Sequence, residues 1–74
     1  MPLDTVRVLK IIRIKHVVEK IGLSRSSIYD RLNPDSPRYD ASFPRPISIG
    51  ISAVGWLEVD IDEWIKSRVA QSIK

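Results

Sequence analysis

Four kinds of side chain in this sequence could do chemistry: the hydroxyls of Ser24, Ser26 and Ser27, the imidazole of His16, the clustered carboxylates of Asp60, Asp62 and Glu63, and a run of arginines and lysines. A serine nucleophile needs a base within reach and a third group to orient that base. His16 is the sole histidine and has no partner at ligand spacing. No catalytic residue, no metal site and no cofactor is therefore expected, and an enzyme is not expected either. The carboxylates fall where a helix should begin, and negative charge there complements the helix dipole. The positive charge is what remains. Arg7, Lys10, Arg13, Lys15, Lys20, Arg25 and Arg31 are opposed in their stretch only by Glu19 and Asp30. From Ile51 onward, Lys66, Arg68 and Lys74 are outweighed by Glu58, Asp60, Asp62 and Glu63. A basic front on a near-neutral back, with a net charge of +3, fits a protein that turns one side to a polyanion.

Length limits what can position these groups. Seventy-four residues make one domain, and 43% apolar with 28% charged residues is a globular balance. The absence of cysteine excludes disulfides and thiolate metal sites. Small secreted domains lean on disulfides, so a cytoplasmic location is expected. No apolar run approaches the roughly 20 residues of a membrane span, and Met1-Pro2-Leu3-Asp4 lacks the layout of a signal peptide.

Residues 1–12 alternate loosely between apolar and basic and read as an extended N-terminal segment; residues 13–74 read as the domain. Ile14, Val17, Val18 and Ile21 recur at helical spacing. Gly22 should stop that helix, because glycine takes a left-handed cap without steric cost. Ser24 is placed to cap a second helix from about Arg25 to Leu32, with Ile28 and Leu32 inward. Asn33-Pro34 ends it. Residues 33–42 form a loop, and Phe43-Pro44-Arg45-Pro46 is extended. Ile47–Ile49 and Ala53–Leu57 read as a hairpin around Gly50-Ile51-Ser52. Asp60 and Glu63 look like the capping box of a last helix, with Ile61, Trp64, Ile65 and Val69 on its inner face.

Two short helices joined by Gly22-Leu23-Ser24 make a helix-turn-helix candidate. The first would orient the second, which is slim enough for the roughly 12 Å major groove of DNA. Steps of about 100° per residue turn Ser26, Ser27, Asp30 and Arg31 outward, flanked by Arg25 and Tyr29. Arginine can meet guanine or phosphate through two donors, and serine or tyrosine hydroxyls suit phosphate.

From Arg13 to about Arg68 the chain resembles the AlpA family of prophage regulators, small relatives of the excisionases with a MerR-like winged helix fold. The resemblance lies in Arg13-Ile14-Lys15, in Gly22-Leu23-Ser24-Arg25-Ser26-Ser27-Ile28-Tyr29 and in Phe43-Pro44-Arg45-Pro46-Ile47. It is most specific in Ala53-Val54-Gly55-Trp56-Leu57-Glu58 followed by Asp62-Glu63-Trp64-Ile65. It implies an α+β winged helix-turn-helix domain: two helices, a β-hairpin wing, then a third helix. It also implies a transcriptional regulator or excision directionality factor of an integrated element. The partner would be double-stranded DNA, with the second helix in the major groove and the wing on the backbone. The implied contact set is Lys15, Ser24, Arg25, Ser26, Ser27, Tyr29, Arg31, Arg45 and Ser52. Relatives often carry a basic residue where Ser52 stands. The loop 33–42 is longer than expected and adds Arg38 and Tyr39 as candidates.

A different class of function competes: an adaptor docking on a recombinase or polymerase, with Val6–Ile12 and Ala70–Ile73 as contact surfaces. Recombinase binding or self-association on DNA is also compatible with the regulator. Trp56 and Trp64 could stack on bases. Their spacing on a strand and an inner helix face assigns them to the core instead, with Trp56 meeting Trp64.

Overall fold

The computed structural model describes residues 9–73; the extended character expected of residues 1–8 lies outside them. Six elements follow in order: β1 (Ile11–Ile12), α1 (Ile14–Ile21), α2 (Arg25–Leu32), β2 (Ile47–Gly50), β3 (Ala53–Leu57) and α3 (Glu58–Ser72). This is the α+β winged helix-turn-helix arrangement, with a third strand added to the hairpin.

The local signals act as their chemistry dictates. Gly22 ends α1 at φ 76°, and its N–H bonds to the Val18 carbonyl at 2.8 Å. Ser24 then caps α2, its Oγ accepting from the Ser27 N–H at 3.2 Å. The loop from residue 33 to residue 42 is ordered by its own polar side chains. Asn33 Oδ1 accepts from the Asp35 N–H at 3.0 Å, and Asp40 Oδ1 accepts from Ser42 N–H at 2.9 Å and Ser42 Oγ at 2.6 Å. Such short-range bonds are why these residues favour turns.

The sheet has strand order β1-β3-β2, all antiparallel. Ile11 faces Leu57 and Ile12 faces Trp56, while Ile47 faces Gly55 and Ser48 faces Val54. A register shift between Ser48 and Gly50 sits just before the turn at Ile51 and Ser52. The central strand therefore joins the hairpin to the lead-in segment. On its inner side lies the core: Ile12, Val17, Ile28, Phe43, Trp56 and Ile61 are buried. Ile14, Val18, Ile21, Leu23, Leu32, Trp64 and Ile65 pack around them.

Two expectations need correction. No capping box forms at Asp60 and Glu63: α3 starts three residues earlier than that cap would place it, with Leu57 as a cap that makes no side-chain bond. The cause is β1, because the Lys10 carbonyl takes the Glu58 N–H at 2.8 Å and the strand runs straight into the helix. Asp60 still lies in the first turn, beside Glu58, where both complement the dipole. The aromatic partner of Trp64 is Phe43 rather than Trp56, edge to face at 5.0 Å between centroids. Trp56 instead donates its indole N–H to the Pro44 carbonyl at 3.1 Å.

Two glycines are required for different reasons. A Cβ on Gly22 would meet nothing within 4 Å, so only its left-handed backbone excludes other residues. A Cβ on Gly55 would lie 2.6 Å from Ile11 Cγ2 and 3.0 Å from the Ile12 carbonyl oxygen. Gly22→Ala is expected to cost about 1–2 kcal/mol, with part of the loss recovered in Gly22→Asn. Gly55→Ala should cost about 1–3 kcal/mol by overpacking a stiff β-branched neighbour, and Gly55→Asn should recover nothing. Urea denaturation of the four variants checks this; a Gly55→Ala midpoint equal to wild type would place β1 elsewhere.

Candidate nucleic-acid interface

The interface is built on α2, an eight-residue helix held at both ends. At its start, Ser24 Oγ accepts the Ser27 N–H and also bonds the Ser27 hydroxyl at 3.0 Å, and lies 3.4 Å from the Ser26 hydroxyl. Ser24 thus positions the helix, and its hydroxyl is committed. The Ser24 carbonyl takes the Ile28 N–H at 3.0 Å. The N–H groups of Arg25 and Ser26, in the first turn, have no partner inside the helix, as at any helix start. Such a start suits an anion.

The exposed residues of α2 are Arg25, Ser26 and Tyr29. Ser27 and Asp30 are half-buried, and Ile28 is the buried anchor. Arg25 and Tyr29 are one turn apart, with Ser26 beside them, so a guanidinium, a hydroxyl and a phenol share one surface. Lys15 is exposed on α1. Ser52 is exposed in the hairpin turn beside Ile51, whose side chain is wholly in solvent.

Arg31 departs from the outward orientation expected of it. It is half-buried, and its Nε is buried with no hydrogen-bond partner among the described residues. It stands five positions after Ser26, roughly 140° around the helix. The inner side of α2 is wider than the edge formed by Ile28 and Leu32, because Trp64 and Arg68 of α3 border the same groove as Arg31.

The far end of α2 is fastened by a residue expected to touch DNA. Arg45 donates Nη1–H to the Leu32 carbonyl at 3.1 Å and Nη2–H to the Tyr39 hydroxyl at 2.6 Å. Its guanidinium also lies 5.4 Å from the centre of the Tyr39 ring. The last carbonyls of a helix lack partners within it, and here a charged donor supplies one. Arg38 reaches back toward Asp30 at 3.8 Å, a loose exposed pair. The loop carrying Arg38 and Tyr39 is thus strapped to the end of α2.

Two other groups stabilise the scaffold and had no motif to announce them. Lys20, in the last turn of α1, bonds Asp62 at 2.9 Å and Glu58 at 3.1 Å, tying α1 to the start of α3. Its pKa is raised, first by the Asp62 bond and then by the Glu58 bond. Asp40 is held below the ordinary carboxylate range, chiefly by the Ser42 hydroxyl and against the opposing effect of burial. The Trp64 indole N–H has no partner at hydrogen-bond distance among the described residues, yet it lies near enough to Asp40 to add a smaller lowering. Among the described residues, no group of three or more His, Cys, Asp or Glu could hold a metal ion. No helix among them is long and apolar enough to cross a membrane.

Because Arg45 is committed to Leu32 and Tyr39, Arg45→Ala is expected to act on folding. Thermal and urea unfolding should show a loss of about 1 kcal/mol, typical of a hydrogen-bonded group removed. The slope of log affinity for duplex DNA against log salt should stay unchanged. A slope reduced by about 0.9 would mean that Arg45 also meets a phosphate.

Comparison with known proteins agrees with this geometry. The family described as "Prophage CP4-57 regulatory protein (AlpA)" matches residues 10–69, from the residue before β1 well into α3. A protein of Escherichia coli (strain K12) named "DNA-binding transcriptional activator AlpA" is 50% identical over 60 residues, covering 81% of this chain and 86% of its own. A protein of Enterobacteria phage P4, "Uncharacterized protein ORF88", is 31% identical over 70 residues, covering 95% of this chain and 73% of its own. No solved structure matches significantly. The helix-turn-helix, the strand that Gly55 and Trp56 anchor and most of the last helix all fall inside the matched span, and the chain belongs to the AlpA family of prophage regulatory proteins.

Proposed function

We propose that this chain is a sequence-specific DNA-binding regulator of transcription, encoded by a prophage or another integrated element and working in the bacterial cytoplasm. The observation that carries the reading is the capped helix α2, which presents Arg25, Ser26 and Tyr29 to solvent within a domain of the AlpA family. The name of the half-identical relative supports transcriptional activation over excision.

In this reading α2 enters the major groove N-terminus first. Arg25 reads a base edge or clamps a phosphate, Ser26 and Tyr29 bond the backbone, and the free N–H groups at the helix start face a phosphate. Ser24 and Ser27 hold the helix start rigid. Lys15 on α1 meets the backbone beside the groove. The hairpin lies along the flanking backbone with Ser52 at its tip. A recognition helix of two turns reads few base pairs, and copies bound side by side would lengthen the site.

The test uses a duplex selected by this protein from a random library, compared with random duplex in gel-shift titrations. Binding to the selected duplex should weaken steeply with salt. Arg25→Ala should cost about 1–3 kcal/mol on the selected duplex and relax preference at one position. A variant that binds both duplexes as wild type does would remove Arg25 from the interface.

The wing has its own test. An added guanidinium at Ser52 should displace one more counterion. Ser52→Arg is expected to tighten binding to selected and random duplex alike, steepening the salt slope by about 0.9. Stability should move by less than about 0.5 kcal/mol, because the tip is exposed. An unchanged slope in the folded variant would mean that the tip does not approach the backbone.

A further inference from the structure

The groove on the inner side of α2 is left over when the DNA-facing residues are accounted for. It has a volume of about 550 Å³ and is open rather than enclosed. Its floor is apolar: Ile21 and Leu23 from the helix-turn-helix, and Trp64, Ile65, Val69 and Ile73 from α3. Ile65, Val69 and Ile73 recur every four residues, so they form one stripe along α3, about 12 Å long at 1.5 Å per residue. From Lys66 to Ile73 every residue of the chain is exposed, and Val69 and Ile73 are 54% and 74% exposed. Two turns of helix thus continue beyond the core with an apolar stripe that no other described residue covers.

The rim is cationic. Lys20 is spent on Glu58 and Asp62, but Arg31 and Arg68 make no ion pair among the described residues. Arg68 lies over the Trp64 ring at 5.5 Å, and the buried Nε of Arg31 lacks an acceptor. The groove therefore combines an apolar floor with two guanidinium groups that make no ion pair among the described residues, although Arg68 rests on Trp64 and lies near enough to Asp40 to help lower its pKa.

We propose that this groove docks an amphipathic segment of another protein, with apolar side chains on one face and carboxylates along its edges. The rim charge favours this occupant over a second copy: across a twofold axis at Val69, the midpoint of the stripe, Arg68 of one copy would lie near Arg68 of the other, with the acids of residues 58–63 beyond the stripe. A carboxylate from the partner supplies what Arg31 and Arg68 lack, in a site where an apolar floor strengthens the pairing. Arg31 lies roughly 140° around α2 from Ser26, so docking and DNA binding use different sides of the helix. The regulator could hold both partners together.

The probe is a synthetic helical peptide of roughly 14 residues, four helical turns, with leucines at positions three and four apart and glutamates elsewhere. Its control carries lysine for every glutamate. Calorimetry with the whole chain should show binding of the glutamate peptide that weakens with salt and no binding of the lysine peptide. Val69→Asp, at an exposed site, and Arg31→Gln should each weaken it by about tenfold or more. Val69→Asp should keep wild-type affinity for the selected duplex, which separates failure here from failure of the DNA-binding reading. Equal binding of the two peptides, no binding of either, or unchanged binding by Val69→Asp would overturn the proposal. So would self-association, read by sedimentation, that Val69→Asp abolishes, since a second copy would then be the occupant.

Discussion

Trp56 is where the separate pieces of this chain are tied together. It stands on the middle strand, opposite Ile12 of the lead-in strand, and it is wholly buried. Its indole N–H reaches the Pro44 carbonyl, so the long loop returns to the sheet through the same side chain. Burying an aromatic of this size removes some 150–250 Å² from water, worth about 4–6 kcal/mol at the usual coefficient. Small domains are stable by only about 5–15 kcal/mol in total. The side chain can sit there only because Gly55, next to it, lets β1 approach closely on the other face. Sheet, loop and lead-in strand all depend on this pair.

The recognition helix depends on that scaffold in turn, because it has little stability of its own. An isolated helix of eight residues is far below the roughly 12–15 needed for marginal stability in water. One fully buried residue, Ile28, anchors α2. The rest of its definition comes from the ends: the Ser24 cap at the start, and the Arg45 bond to Leu32 at the finish. In the reading proposed above α2 meets base edges and must be held rigidly, and that rigidity comes from the residues flanking the helix.

This division explains what the sequence makes legible. Gly22 and Ser24 act on their immediate neighbours, so residue type and position sufficed to place the turn and both helices around it. The motif order from Arg13 to Ile65 carried the fold and the family. Arg45 is legible as part of a motif, but its bonds to Leu32 and Tyr39 are not, because those residues are 13 and 6 positions away from it. The start of α3 was misplaced for a similar reason: the group that sets it, the Lys10 carbonyl, comes from the other end of the domain. Arg31 is half-buried where helical spacing turns it outward, because a helical wheel knows its own buried edge and not the width of the neighbour packed against it. The Phe43–Trp64 pair needed the loop's return path, which no local periodicity encodes.

The placement of charge along the three helices follows the same logic of function against stability. A helix start is the positive end of its dipole and is stabilised by acids. α3 obeys this, with Glu58 and Asp60 in its first turn. α1 and α2 have no acid in their first turns. They have cations there: Arg13 and Lys15 at the start of α1, and Arg25 as the first residue of α2. Each such cation opposes the local dipole by some tenths of a kcal/mol, on the order of 0.3–1. Lys20, Arg38 and Lys66 are engaged in ion pairs, while Arg13, Lys15 and Arg25 are not, among the described residues. The start of α3 is charged for stability, and the starts of the two helices of the helix-turn-helix are charged against it. Such an arrangement is relieved by an anion brought to those two helix starts, and the phosphate backbone of DNA is an anion of that kind.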